Sequence, residues 1–318
     1  MELERTIKAI NIWGEPTIVW LHLFALLGEK NNVQTELNGK TISHNSQKFN
    51  LSLHSSAGAG KSWNTIDLLN YMRQFADIPF AKELHGRFTP KALIQELSSS
   101  PSCSFYVDES ETMLYDKLTA SLLRQMCFGK GYVGWRTSLE DFNIPEVRFE
   151  GNMIMSQNNK ISPSGNITDI QDEHLRANLD RAIIITLSQS ITDAIIKKRK
   201  QYDHTADKEA WQWITKRVVE LRQNPRTIRL SHEETGQVIQ WWEQELSQYH
   251  WTTPISLRTY DKIVHIFART KLLFGELNSQ LIEICKALSS KVIRMQTPQT
   301  TQIKITDYKH QEQSTSRI

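Results

Sequence analysis

The sequence predicts an α/β fold with a mainly parallel, buried sheet, followed by a helical region. Three observations lead to this prediction. Short apolar strand candidates alternate with helical patterns over residues 46–190, and alternation of this kind favours a parallel sheet with both faces covered. The first strand candidate runs directly into a glycine-containing loop, SSAGAGKS, which a helical pattern follows. From about residue 191 the pattern is wholly helical.

Length and composition set the broad class of the protein. The chain has 318 residues, 39% of them hydrophobic, which is enough for one large domain or two modest ones. The net charge of +3, from 38 basic and 35 acidic residues, neither demands nor excludes a nucleic-acid partner, because a local patch matters more than the sum. Three scattered cysteines without a CxxC pair argue against a disulfide framework and favour a cytoplasmic location.

The first segment, residues 1–45, is predicted to be helical and then to end in a polar loop. Its start, MELERTIKAINIWGE, alternates acidic and basic residues and is not typical of a signal peptide. The longest apolar run, Thr17 to Gly28, contains a histidine and is shorter than the roughly 20 residues that span a bilayer. We interpret it as a buried helix started by Pro16, and we expect no membrane association.

The predicted core, residues 46–190, starts with a strand in KFNLSL, where Phe49, Leu51 and Leu53 alternate with polar residues. After the loop comes a helical pattern in WNTIDLLNYMRQFA. A helix in FTPKALIQEL is capped by Thr89 and has Pro90 at its first position. The remaining predicted elements are strands in PFAKELHG, CSFYVDE, VRFEGNMIMSQNN and RAIIITL and a helix in ETMLYDKLTASLLRQMCF.

The predicted C-terminal region, residues 191–295, contains only helices, with Ser231 and Glu234 forming a capping box before one of them. The polar tail, residues 296–318, is predicted to be disordered.

The stretch LHSSAGAGKSW, Leu53 to Trp63, is typical of a phosphate-binding loop with one departure. In such a loop, glycines let backbone N–H groups face the phosphates, Lys61 reaches the β- and γ-phosphates, and Ser62 holds Mg²⁺. The full pattern would place a glycine where Ser55 stands, and we interpret the serine as a tolerated variation. The alternative is a surface loop with a stray lysine. The predicted nucleotide-binding residues are Ser56, Ala57, Gly58, Ala59, Gly60, Lys61, Ser62 and Trp63.

A second motif, SFYVDES, places apolar residues before two acids, Asp108 and Glu109. At the end of a buried strand, the aspartate can hold Mg²⁺ and the glutamate can polarise an attacking water. The alternative is an ordinary strand that ends in a solvated acidic turn. The motif follows the loop in the order and at the distance that phosphate-loop ATPases use.

Two further positions complete the predicted site. The strand in GNMIMSQNN ends at Asn158 and Asn159, either of which could aim an amide at the γ-phosphate, although Asn-Asn is also favoured in plain turns. In LRANLDRAIIITL, Arg181 precedes a strand, where a guanidinium could reach the γ-phosphate of a neighbouring subunit. Its alternative role is a surface salt bridge with Asp180 or Glu173.

The order of these motifs resembles that of the AAA+ ATPases. The segment ISLRTYDKIVHIFARTKLLFGELNSQLIEICKAL looks like the helical lid of minichromosome-maintenance helicases, and the resemblance implies that Arg258 is the arginine called sensor 2. A second resemblance is to primase-associated and MCM-like helicases of phages, plasmids and viruses, and together the two cover roughly residues 15–295. The resemblance implies an ATP- and Mg²⁺-dependent AAA+ core with a lid that works as a homo-oligomeric ring, with a hexamer favoured. It also implies a possible separate primase or DNA-binding partner.

In this class a hairpin before the third motif strand contacts DNA, which here is the region FGKGYVGWRTSLEDFNIPEVRF. The expected partner is single-stranded DNA. We predict phosphate contacts for Lys130, Arg136 and Arg148 and base stacking for Tyr132 and Trp135. Gly131 and Gly134 are predicted to form a mobile tip. The alternative is an exposed turn with its aromatic side chains packed down.

Three functions follow from these motifs. The first is an ATP-hydrolysing motor on nucleic acid, a helicase-like replicative protein of a mobile element or virus. The second is an ATP-dependent loader or regulator that assembles on DNA without unwinding it, and a strand-separation assay divides the two. The third, a nucleotide-binding switch or small-molecule kinase, is disfavoured because Glu109 implies an activated water.

Overall fold

A computed structural model describes most of the chain. It covers residues 3–29, 31–44, 48–55, 61–85, 88–110, 113–114, 116–127, 131–135, 143–158, 178–186, 207–247, 249–250, 257–296 and 303–304. Across these ranges, no helix combines the length and the apolar character that crossing a membrane would require.

Strands and helices alternate through the first part of the chain. The strands are β1 (Val33–Leu37), β2 (Lys40–Ser43), β3 (Leu51–His54), β4 (Ala81–Leu84), β5 (Ser104–Val107), β6 (Tyr132–Trp135), β7 (Ile144–Arg148), β8 (Met153–Gln157), β9 (Ile183–Thr186), β10 (Ile228–Leu230), β11 (Tyr249–His250) and β12 (Ile303–Lys304). The helices are α1 (Leu3–Trp13), α2 (Pro16–Leu26), α3 (Leu68–Arg73), α4 (Pro90–Ser99), α5 (Lys117–Cys127), α6 (Lys208–Gln223), α7 (His232–Ser247), α8 (Leu257–Phe274) and α9 (Ser279–Gln296).

Five strands form the central sheet in the order β4-β5-β8-β3-β9, and every neighbouring pair is parallel. This sheet confirms the predicted α/β fold. Because the strands are parallel, all of them end at one edge, here called the carboxyl edge, and begin at the opposite one, the amino edge. The polar residues of β3, Ser52 and His54, are buried along with the leucines, so the alternation in KFNLSL does not mark a solvent face. Both faces of a central parallel strand are covered, and these two side chains bond to each other instead, at 2.7 Å.

Helix α2 begins as predicted, with Pro16 in its first turn and the Glu15 carboxylate accepting a hydrogen bond from the backbone N–H of Ile18. Its last turn lies at the amino edge of the sheet, where side chains from distant elements donate to its carbonyl groups. Arg269 Nη1 lies 2.6 Å from the Phe24 oxygen and 3.0 Å from the Gly28 oxygen. Arg222, Asn152 and Ser104 donate to the carbonyl groups of Leu26 and Ala25. A helix end can leave four carbonyl groups without intrahelical partners, and here tertiary donors reach those of Phe24, Ala25 and Leu26 while the Leu27 N–H bonds to that of Leu23.

The helix predicted after the loop is not a plain α-helix. A π-helical turn occupies Trp63–Asp67 before α3 begins. The wider turn points two consecutive polar side chains inward. Asn64 accepts a hydrogen bond from the backbone of Glu15, and Thr65 bonds to His22. Single π turns of this kind occur frequently at functional sites.

The first segment pairs with the C-terminal region rather than standing apart from it. Strand β1 lies parallel to β10 and antiparallel to β2 in a separate three-stranded sheet. The expectation that residues 191–295 contain only helices is therefore wrong, because β10 and β11 lie within them. The predicted capping box is confirmed, since the side chains of Ser231 and Glu234 each accept from the other's backbone N–H. Ile303 and Lys304 of the tail pair with β11.

Candidate functional site at the carboxyl edge

Three predicted motifs lie together at the carboxyl edge. Ser55 follows β3 and leads into the phosphate-loop segment, Asp108 follows β5, and Asn158 follows β8, which lies between those two strands. A backbone hydrogen bond of 3.3 Å from Ser55 N to the Gln157 oxygen joins two of these strand ends. Ligands of open α/β sheets bind outside the carboxyl ends of the strands, so this edge is the candidate site.

A hydrogen bond between Ser62 and Asp108 joins the two main motifs. The Ser62 hydroxyl donates to Asp108 Oδ2 at 3.1 Å, although 46 positions separate them in sequence. Ser62 lies at the start of the helical segment after the loop, and Asp108 follows the buried strand. The two side chains predicted to hold Mg²⁺ are thus hydrogen-bonded to each other.

The other oxygen of Asp108 receives three donors. The Tyr106 hydroxyl lies 3.0 Å from Oδ1, the backbone N–H of Glu109 lies 3.1 Å from it, and the Ser156 hydroxyl bonds to the same atom. Partial burial by itself would raise the pKa of Asp108, but the hydrogen bonds from Ser156, Tyr106 and Ser62 outweigh it and hold the pKa below its usual value. Asp108 is therefore ionised at neutral pH. Burial raises the pKa of the Tyr106 phenol, which stays a donor.

Lys61 lies beside this pair, buried against the residue that departs from the loop pattern. Its Nζ donates to the Ser55 hydroxyl at 2.8 Å and to the Ser55 carbonyl oxygen at 3.2 Å. A buried ammonium group needs such partners to offset its lost hydration. Ser55 is therefore more than a tolerated replacement for glycine, because its oxygen atoms accept hydrogen bonds from the lysine.

Glu109 has an unusual backbone. Its φ of 50° lies in the left-handed region, and its side chain is exposed. A residue with a Cβ atom in this region costs roughly 1–2 kcal/mol, and such strain concentrates at functional sites. The turn directs the glutamate away from the buried strand, while its N–H still bonds to Asp108.

Behind the loop lies a buried polar chain. The Thr65 hydroxyl is 3.1 Å from the Lys61 carbonyl oxygen and 2.8 Å from His22 Nε2, while His22 Nδ1 contacts the Ile18 carbonyl oxygen. Burial lowers the pKa of His22 to about 4, so the imidazole is neutral at neutral pH. This chain ties the helix that carries Lys61 and Ser62 to α2.

Several predicted residues lie outside the described ranges. They are Ser56, Ala57, Gly58, Ala59 and Gly60 of the loop, Asn159, and the hairpin residues Lys130 and Arg136. Trp63 is described in its backbone, as the first residue of the π-helical turn. Asn158 is half-buried at the end of β8, on the same edge as Asp108.

The two predicted arginines lie at the opposite edge. Arg181 is two residues before β9, whose first residue pairs with Leu51 at the start of β3. Arg181 itself lies in the turn before β9, and four strand residues, a rise of about 13 Å, separate Leu51 from Ser55. Arg258 forms an ion pair with Asp180, and Lys262 donates to the carbonyl groups of residues 180 and 182 at 2.9 Å each. Neither arginine is brought to Lys61 within the chain, and Asp180 pairs with Arg258.

The predicted nucleic-acid hairpin is formed by β6 and β7, with a register shift between Val133 and Trp135. Tyr132, 45% exposed, lies directly across from the exposed Arg148. The prediction that the two glycines form the tip is wrong. Gly131 precedes β6 with a φ of 66°, and Gly134 lies inside β6 at the irregularity, where an added Cβ would come within 3.0 Å of Glu146. Trp135 is placed in β6 by its backbone.

The donor set suits a magnesium ion. Mg²⁺ takes oxygen ligands, usually one or two carboxylates together with waters and substrate phosphates, and an ionised Asp108 beside the Ser62 hydroxyl provides such a start. In the described parts of the chain, no group of three or more His, Cys, Asp and Glu forms a metal centre. Among the described residues, Asp108 and Ser62 are the ligands that this arrangement offers.

Sequence reasoning missed Tyr106 and Ser156, which bond to Asp108. A signal was present. Each lies two residues before a predicted site residue, Asp108 and Asn158 respectively, and therefore on the same face of its strand. A tyrosine or serine at such a position in an otherwise apolar strand needs a hydrogen-bond partner, and the strand ends supply one.

Comparisons with known proteins add no assignment. A scan against protein-family models finds no match for the chain, and a search of curated proteins also finds none.

Proposed function

We propose that the chain is an ATP-hydrolysing motor of the AAA+ type that acts on nucleic acid, a helicase-type ATPase of a mobile element or virus. One observation carries the proposal: the Ser62 hydroxyl lies 3.1 Å from the carboxylate of Asp108, with the buried Lys61 beside it, at the carboxyl edge of a parallel sheet. A five-stranded, all-parallel α/β sheet is compatible with a phosphate-loop core.

The contacts of Lys61 suggest how the loop accepts a nucleotide. The lysine donates to two oxygens of Ser55, and phosphate oxygens are stronger acceptors for an ammonium group than a hydroxyl or a carbonyl. On binding, Lys61 exchanges Ser55 for the β- and γ-phosphates of ATP. Ser62 and Asp108 would hold Mg²⁺, which supplies charge neutralisation at the phosphate oxygens when bound.

Glu109 follows the metal-holding aspartate and is exposed at the same edge. Its carboxylate accepts a proton from the attacking water, and the Asn158 amide at the end of β8 orients that water or the γ-phosphate. Because the side chain of Asp108 is held by four donors while that of Glu109 is exposed, the two adjacent acids are suited to different roles.

Arg181 and Arg258 act from a neighbouring subunit in this proposal. Both lie at the amino edge, Arg181 in the turn before β9 and Arg258 paired with Asp180 of the same turn, whereas Lys61 lies at the carboxyl edge, so neither serves the nucleotide of its own chain. A ring places the amino-edge arginines of one subunit at the carboxyl-edge nucleotide of the next, with residues 191–295 as the lid. The guanidinium groups then stabilise the charge that develops on the γ-phosphate. Expected partners are therefore further copies of the chain, in a hexamer, and a separate primase or DNA-binding subunit is compatible with this arrangement.

The hairpin of β6 and β7 supports nucleic acid as the substrate track. Tyr132 presents an exposed aromatic ring next to the exposed Arg148, a pair that suits base stacking beside a phosphate contact. Single-stranded DNA is the first ligand to test.

The test measures ATP hydrolysis with and without single-stranded DNA for the wild type, Lys61→Ala and the control Lys286→Ala, which removes a surface lysine paired with Glu283. We expect hydrolysis that rises with DNA, is abolished in Lys61→Ala, and is unchanged in the control. Equal hydrolysis by all three proteins, or no hydrolysis together with equal nucleotide binding in a parallel binding assay, would overturn the proposal.

A strand-separation assay follows, with a forked duplex and the same three proteins. Duplex separation that requires ATP and Lys61 supports a helicase. DNA-stimulated hydrolysis without separation would replace the motor with the alternative of a loader or regulator that assembles on DNA without unwinding it.

A further inference from the structure

Beyond the predicted ligands, Asp108 is held by two side chains that the motif does not include. Tyr106 and Ser156 belong to neighbouring parallel strands, β5 and β8, and both are buried, at 1% and 0% exposure. Their hydroxyl groups meet 3.2 Å apart, and each also contacts Asp108 Oδ1. Two buried hydroxyl groups are costly unless each is satisfied, and here they bond to each other and to the partly buried Asp108.

The donors divide the carboxylate into two unlike oxygens. Oδ1 receives Tyr106, Ser156 and the Glu109 N–H, whereas Oδ2 receives only the Ser62 hydroxyl in the described structure. A carboxylate rotates freely about its terminal bond unless hydrogen bonds select one orientation. Oδ1 is thus occupied on the sheet side, and Oδ2 is turned toward the start of the helix that carries Ser62.

We infer that Tyr106 and Ser156 are positioning residues that fix the orientation of Asp108, so that Oδ2 and the Ser62 hydroxyl form a preorganised pair of metal ligands. The inference rests on the proposed function, because it concerns the same metal site. Neither side chain touches the metal or the nucleotide. They act through Asp108, and they lower the cost of ordering it when Mg²⁺ binds, since Mg²⁺ demands near-ideal geometry.

Ser156 has a second connection that links the strand ends. Its carbonyl oxygen accepts from the Ser110 backbone N–H at 2.9 Å and from the Ser110 hydroxyl at 3.0 Å. The residues after Asp108 are thereby fastened to β8, two positions before Asn158. The hydroxyl and the carbonyl of one residue hold the acidic turn from both sides.

The test uses direct binding of Mn²⁺, a paramagnetic substitute for Mg²⁺, followed by electron paramagnetic resonance in the presence of ADP. The variants are Tyr106→Phe and Ser156→Ala, each of which removes only a hydroxyl group. Tyr71→Phe is the matched control, because it removes a tyrosine hydroxyl at a packing site beside Trp13. Ser156→Thr, which keeps a hydroxyl group, is the conservative rescue. Lys61→Ala and Asp108→Asn test the site itself.

We expect Tyr106→Phe and Ser156→Ala to weaken Mn²⁺ binding roughly tenfold each, the effect of losing one hydrogen bond to a charged group. Tyr71→Phe and Ser156→Thr should bind like the wild type. In ATP hydrolysis, the half-saturating Mg²⁺ concentration should rise by a similar factor, and the rate should recover at high Mg²⁺. A purely structural role would instead lower the melting temperature and the rate together, without recovery.

Two failures are distinguishable. If Asp108→Asn abolishes metal binding while Tyr106→Phe and Ser156→Ala bind like Tyr71→Phe, the positioning role is overturned and the proposed function stands. If Asp108→Asn and Lys61→Ala themselves bind Mn²⁺ and ADP like the wild type, the proposed function falls and the inference falls with it.

Discussion

The two edges of the central sheet use buried polar side chains in opposite ways. At the amino edge, side chains donate to backbone carbonyl groups in the last turn of α2; they are those of Arg269, Arg222 and Asn152. These carbonyl groups are part of the helix, so a ligand cannot take their place as partners. At the carboxyl edge, Lys61 and Ser62 bond to the side chains or loop oxygens of Ser55 and Asp108. Such contacts can be exchanged for phosphate oxygens or a metal ion. The difference separates polar groups that hold the fold from polar groups available for a ligand.

The largest expected effect is a loss of stability from a substitution at the amino edge that leaves the carboxyl edge intact. Arg269→Met removes two buried hydrogen bonds from a charged group, to the carbonyl groups of Phe24 and Gly28, and should lower the free energy of unfolding by roughly 4 kcal/mol, although the Leu27 N–H still bonds to Phe24 at 3.3 Å. Urea denaturation measures it, with the exposed Arg229→Met as the control. Nucleotide affinity of the folded fraction should stay unchanged, and Lys61→Ala should show the reverse pattern. A stable Arg269→Met protein with weakened nucleotide binding would invert the comparison.

Acid should break the contacts of two buried imidazoles, His22 behind the carboxyl edge and His265 beside Arg269 in α8, and leave the guanidinium contacts at the amino edge charged. The folded-state pKa of His22 is lowered by burial to about 4, whereas the unfolded value is near 6.5. Below pH 6.5 the unfolded state binds more protons, so stability falls as pH drops, by roughly 1.4 kcal/mol per pH unit down to about pH 4. His265, lowered by burial to a pKa of about 3, adds a similar loss.

Urea midpoints between pH 4.5 and 7.5 measure this slope. His22→Gln should remove about half of it, and His265→Gln should remove a similar share. If neither variant flattens the curve, the acid sensitivity comes from other groups.

A smaller effect, on DNA affinity, tests whether the amino edge has only a structural role. The hairpin of β6 and β7 starts at this edge, since the Phe149 N–H donates to the Gly131 carbonyl oxygen at 2.9 Å and a Cβ added at Gly131 would come within 3.0 Å of the Lys48 side chain. Tyr132→Ala should weaken binding of single-stranded DNA about tenfold, the value of one stacked base. Fluorescence anisotropy at fixed salt measures it, and the exposed Ile42→Ala is the control. Unchanged DNA affinity would remove the hairpin from the nucleic-acid interface and leave this edge structural.

The smallest expected effect is a gain in stability at the carboxyl edge. Glu109→Gly relieves a left-handed backbone and should raise the unfolding free energy by about 1 kcal/mol, while hydrolysis is lost with the carboxylate. Asn38→Gly, at the other described non-glycine residue with a φ of 50°, should gain less because asparagine tolerates this region. Glu109→Gln should lose hydrolysis without the gain. A destabilised Glu109→Gly protein would show that the turn is not strained.

The sequence predicts much of the sheet because β5, β8 and β9 are mainly apolar runs between turn signals. It also predicts the position of Lys61, Ser62 and Asp108, since spacing and order are read directly along the chain. It does not predict the partners of Asp108, because Tyr106 and Ser156 meet only when β5 and β8 become neighbours. Strand order is a property of the whole sheet and leaves no local pattern.

Two errors have the same origin. The short strand β10 is not predicted within the helical region, because its partner, β1, lies near the start of the chain. The place of Gly134 inside a strand depends on a cross-strand irregularity opposite Glu146. Both features depend on pairing between segments that are distant in sequence. The hydrophobic periodicity of one short stretch of sequence carries no information about such pairing.

The capping of α2 has a consequence for how the protein is made. The last turn of this apolar helix accepts a hydrogen bond from Arg269, which is synthesised 245 positions after Phe24. At a synthesis rate of about 5–20 residues per second, that delay is roughly 12–50 s on the ribosome. During this interval an almost uncharged helix lacks its final contacts, and we expect the nascent chain to need a chaperone until α8 emerges.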